Sequence, residues 1–72
     1  MSGFLLVYHR KSGRLERLEE FSGPQGARDA LRERLRVENE NVDPDVEVVS
    51  LNSDSEETLR RTHSRYFDAA LV

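Results

Sequence analysis

Two histidines, an adjacent arginine and tyrosine, two pairs of glutamates and a set of arginine rows are the residues here whose types could do chemistry. On a helix, Leu59, His63, Tyr66 and Phe67 share one stripe, which would bring His63 and Tyr66 together beside Arg65 as an acid/base or ligand pair. Such a pair needs a third, orienting group and a cleft. The sequence supplies neither, so His63 reads as a boundary histidine with its ring against a sheet. His9 ends an apolar run next to Arg10 and Lys11. With no cysteine and no H-x-H or H-E-x-x-H spacing, the expectation is no metal site. The pairs Glu19-Glu20 and Glu56-Glu57 read as solvated, and no serine sits in a G-x-S-x-G elbow. No catalytic residue and no cofactor are expected, and the chain is read as a non-enzyme.

The cations point elsewhere. All but Lys11 are arginines, which suit forked contacts to carboxylates or phosphates. Arg10, Lys11 and Arg14 fall at a turn, and Arg28, Arg32 and Arg36 form an i, i+4, i+8 row. These six are the anion-binding candidates: if the two patches adjoin they could track a phosphate backbone, with Tyr8 as the one neighbouring aromatic. Against a dedicated nucleic-acid binder stands the net charge of −3. The charge is uneven along the chain: residues 1–36 carry eight bases and five acids, residues 37–72 three bases and nine acids. Gly23-Pro24-Gln25-Gly26 is similar in spacing to the G-x-x-G loop of KH domains. The resemblance covers those four residues, lacks the loop's usual basic residue, and is read as an ordinary helix start.

The positioning elements follow from periodicity. Phe4 to His9 is a continuous apolar and aromatic run too short for a helix, hence a strand. Lys11-Ser12-Gly13 makes a turn, with Gly13 able to take positive φ. Residues 14–21 return as a second strand, whose Leu15, Leu18 and Phe21, spaced by three, call for a bulge. Ser22 with Gln25 has capping-box spacing, and a helix then runs to about Glu40 with Ala27, Ala30, Leu31 and Leu35 on one face. Asp45 to Leu51 is a third strand. Ser53 with Glu56 opens a second helix that continues through Phe67, and residues 68–72 are expected to fray.

The predicted fold class is therefore α+β: one domain over residues 1–72, order ββαβα, with a three-stranded, mainly antiparallel sheet in order 2-1-3 and both helices on one face. On that arrangement one set of β1 side chains is left uncovered. Phe4, Leu6 and Tyr8 point one way and Leu5, Val7 and His9 the other, and an uncovered apolar stripe marks a partner surface. Phe4, Leu5, Leu6, Val7, Tyr8 and His9 are thus the candidate partner-binding residues. The expected function is a small protein-interaction module, with another protein or a second copy (a homodimer) as partner; the alternative is a nucleic-acid accessory module. No apolar window approaches the roughly 18 residues of a membrane span, so no membrane partner is expected. The lack of cysteine in so thin a core suggests a reducing cytoplasm.

Overall fold

The structure, a computed structural model, describes residues 1–67; the tail at residues 68–72, expected to fray, lies outside them. β1 (Ser2–His9) and β2 (Arg14–Phe21) form a hairpin, α1 (Gly26–Glu40) crosses to β3 (Val46–Ser53), and α2 (Glu56–Thr62) leads into a short 3₁₀ turn (Ser64–Tyr66). The sheet order is β2-β1-β3, with β1 antiparallel to both neighbours. The order ββαβα and the 2-1-3 sheet are those read from the sequence.

The hairpin turns where expected. Gly13 sits at φ 72°, in the left-handed region, and its amide donates to His9 O at 2.9 Å. The register shifts between Val7 and Tyr8, leaving Glu16 as the extra residue of a β-bulge on β2. That shift sets Leu15 opposite Tyr8 and Leu18 opposite Leu6, so leucines three apart both point to the same face.

The expected placement of both helices on one face does not hold. Phe4 and Leu6 pack against Leu59, Tyr66 and Phe67, with Tyr8, Leu15, Leu18, Val49 and Leu51 around them. The opposite face belongs to α1: Gly3 lies so close beneath it that a methyl group there would overlap Gly26 O and crowd the Ala30 Cβ. The physical reason is β1 itself. A middle strand apolar on both sides must be buried on both sides, and one helix per side achieves this. Phe4, Leu5 and Leu6 are 0% exposed within the single chain.

Local signals shift accordingly. Ser22 does not cap α1: the N-cap is Gln25, with no side-chain bond. Gly26 is there because a Cβ added at this position would overlap Phe21 O, so no side chain fits. α2 is capped by Ser55, whose Oγ accepts from the Thr58 amide at 3.1 Å. Ser53 instead donates its hydroxyl to Ser55 O at 2.9 Å. α2 does not continue through Phe67. It ends at His63 (φ −124°, ψ 47°), and the chain tightens into the 3₁₀ turn that brings Tyr66 and Phe67 onto the sheet.

α1 departs most from its sequence pattern. Its inward residues are Gly26, Ala30 and the half-buried Glu33 and Val37, whereas Leu31 and Leu35 are 47% and 58% exposed. A helix seated on a glycine-floored sheet must present small residues, so its two leucines are turned outward.

Candidate functional site

The partner-binding candidates occupy the middle of the molecule. Phe4, Leu5, Leu6 and Val7 are buried between the two layers, and Tyr8 and His9 are half-buried. The open face on which they were to act is closed by α1 on one side and by α2 with the 3₁₀ turn on the other. Phe4 to Val7 build the core and offer no docking surface, while Tyr8 and His9 reach the surface only at its rim.

The cations are dispersed. α1 begins over Gly3, and its end, Val37 and Asn41, borders His9 and Val46 at the hairpin-tip end of the sheet. Arg28 and Arg32 are therefore remote from Arg10, Lys11 and Arg14. Arg36, the row member nearest the tip, is held by Glu33 at 2.6 Å and Glu40 at 3.1 Å. Arg10 Nε lies 3.5 Å from Glu47, and the Lys11 amide donates to Asp45 Oδ1 at 3.2 Å. His9 Nε2 is 2.9 Å from Glu16, the bulge residue. The tip is thus bordered by acids, and the six cations form no continuous track.

Glu33 is the hub of α1's polar contact with the sheet. It accepts from Arg36 and from Arg17 of β2 (3.0 Å), and Arg17 also pairs with Glu19. The Arg36 guanidinium first, and Arg17 second, hold its carboxyl down at about 2.

Of His63, Arg65 and Tyr66, the last two converge on Glu47. Arg65 donates to both carboxylate oxygens of Glu47 at 2.9 and 3.0 Å, and the Tyr66 hydroxyl donates to Oε2 at 3.0 Å. Tyr8 meets Tyr66 edge to face with ring centres 5.1 Å apart, and Arg65 lies 4.5 Å above the Tyr66 ring. Burial, then Glu47, pushes the Tyr66 phenol above its usual range, which keeps it a donor. Tyr8, Arg10, Glu47 and Arg65 line a shallow open depression that His63 does not border. The group clamps the 3₁₀ turn onto β3. Among the described residues no group of three potential ligands could hold a metal ion.

The feature that sequence reasoning passed over is the pair of sheet edges. β2 carries Arg14, Glu16, Arg17, Glu19 and Glu20 among its eight residues, a guarded edge of the kind that resists pairing. β3, Val-Glu-Val-Val-Ser-Leu-Asn-Ser, carries the single charge Glu47, which is held over the α2 side by Arg65 and Tyr66. Its ladder can be phased. The Arg10 amide donates to Asp45 O at 3.0 Å, which makes Tyr8/Glu47, Leu6/Val49 and Phe4/Leu51 the hydrogen-bonded pairs with β1. The amides and carbonyls of Val48, Ser50 and Asn52 then point out of the sheet. Val46 also faces outward, but its amide is taken by Asp43 O at 3.2 Å. Among the described residues no strand pairs with this side of β3. The signal was legible: eight β-prone residues with one charge, in a topology that places them at an edge.

No protein-family model matches the chain, and no curated protein or solved structure is significantly similar to it. The geometry of the chain stands alone as the basis for a function.

Proposed function

We propose that the chain is a small non-enzymatic protein-interaction module that takes an extended partner segment onto the outer edge of β3. One observation carries this reading: the contrast between an edge guarded by five charges and an edge of equal length with a single charge, itself tied down. Main-chain groups of Val48, Ser50 and Asn52 supply the affinity in such strand addition, and side chains flanking the edge supply selectivity. A nucleic-acid role has weaker support, because Arg36 and Arg10 already face carboxylates and Arg28 and Arg32 lie apart from the hairpin tip. The absence of cysteine favours a reducing compartment such as the cytoplasm. No helix among the described residues is long and apolar enough to cross a membrane.

The test is selection of random extended octapeptides on the protein, followed by amide chemical-shift mapping with the enriched sequences. The expected perturbations centre on Val48, Ser50 and Asn52 and vanish when alternate peptide amides are N-methylated. Shifts centred on Arg28 and Arg32, or no enrichment, would overturn the reading.

A further inference from the structure

Resting on that edge-recognition reading, we infer that the segment added to β3 is β3 of a second copy, and that α1 completes the interface from above. The first argument is symmetry. A two-fold axis perpendicular to the sheet, passing midway between the Ser50 residues of the two copies, pairs the strands antiparallel with Ser50 opposite Ser50, Val48 opposite Asn52 and Val49 opposite Leu51. In this register the three outward amides of each copy, at Val48, Ser50 and Asn52, all meet outward carbonyls of the other. The only charges on the two strands, the Glu47 carboxylates, lie at opposite ends, each across from a Ser53. No like charges meet, and the paired Val49 and Leu51 extend the apolar face that packs on α2.

The second argument comes from α1 and is independent of the first. Glu33 reaches Arg17 on β2, whereas Ala27 borders Asn52 on β3. The helix flank carrying Ala27, Leu31, Arg34 and Glu38 therefore leans toward the β3 edge. α1 lies over β1 and β3 more than over β2. The proposed axis keeps both α1 helices on the same side of a continuous sheet. With strands about 4.8 Å apart, it sets them antiparallel at about 10 to 14 Å, from the upper limit of direct helix packing at about 10 Å to a gap that long side chains must bridge. Ala27 lies near Asn52 and Val37 near Val46, so Leu31 stands above the middle of β3, beside the axis. A leucine 47% exposed in one chain thus finds cover where the open edge finds a partner. Leu35, one turn on, points away from the sheet and stays outside the seam.

Sedimentation equilibrium across a wide concentration range reads this directly. The wild type is expected to dimerise. Ser50→Pro removes only an outward amide, and Ser50→Lys sets two cations across the axis; both should give monomers with unchanged far-ultraviolet dichroism. Leu31→Glu should weaken the dimer about tenfold or more, equivalent to about 1.4 kcal/mol, while Leu35→Glu, equally a surface leucine, should leave it within about threefold. Ser50→Cys, in a chain otherwise free of cysteine, should oxidise to a covalent dimer, since directly opposed residues lie about 5.5 Å apart. A wild type that stays monomeric while selected peptides still perturb Val48, Ser50 and Asn52 overturns self-pairing and leaves strand addition standing. Loss of both removes both. A dimer indifferent to Ser50→Pro and Ser50→Lys overturns the edge, and one indifferent to Leu31→Glu overturns the helix seam.

Discussion

The two faces of the sheet are closed by opposite means. On the α2 side, large side chains fill the space: Leu59, Tyr66 and Phe67 descend onto Phe4 and Leu6. On the α1 side, closeness is achieved by leaving side chains out. Gly3 and Gly26 let the helix backbone approach the strand, Ala30 fills the contact, and an ion cluster of Arg17, Glu33 and Arg36 completes it. The difference teaches why α1 wears its leucines outside. A helix that packs through glycine and alanine has no room beneath it for Leu31 or Leu35.

If the α2 face rests on volume, Leu59→Ala should give the largest loss, about 3 kcal/mol by thermal or denaturant unfolding, a large share of what a 72-residue domain holds. A loss below about 1 kcal/mol would show that the face is loosely filled. If the α1 face rests on closeness, Gly3→Val should cost about 2 kcal/mol or more, because the atoms it meets are helix backbone and cannot swing aside. An unchanged midpoint would mean that α1 simply rides higher. Tyr66→Phe removes the phenolic donor to Glu47 while keeping the ring, and about 1 kcal/mol should go with it.

The ion cluster sharpens the comparison through pH. Glu33 is depressed from an ordinary 4.5 to about 2, so its contribution is present in full above pH 4.5 and is lost as pH falls toward 2. The melting temperature should decline over that window, and less so in Glu33→Gln; parallel curves for the two proteins would remove the cluster from the account. The smallest effect belongs to Leu35→Glu, which should alter monomer stability by less than about 0.5 kcal/mol, in contrast to Leu59. Both are helical leucines, and burial alone separates them.

Much of the backbone was readable before the fold. The unbroken apolar run of β1, the glycine of the hairpin and the mixed spacing of Leu15 and Leu18 each report a local constraint, and the strands, the turn and the bulge follow. Caps were harder, because Ser53 and Ser55 offer the same hydroxyl and only packing chose between them. The break at His63 was hidden for a related reason. Leu59, Tyr66 and Phe67 fit one helical stripe, yet reaching the sheet requires the tighter turn. The site was less legible still: the greasy middle strand drew attention to itself, while the strand with the open edge looked ordinary until its neighbours were known.

Alternation and composition alone determined the element order, the sheet topology and the need to bury both sides of β1, since these depend on what each residue tolerates locally. The tertiary structure decided which helix covers which side and where the leucines of α1 point. Those outcomes depend on how closely two backbones can approach, a property of pairs of elements that no single segment encodes.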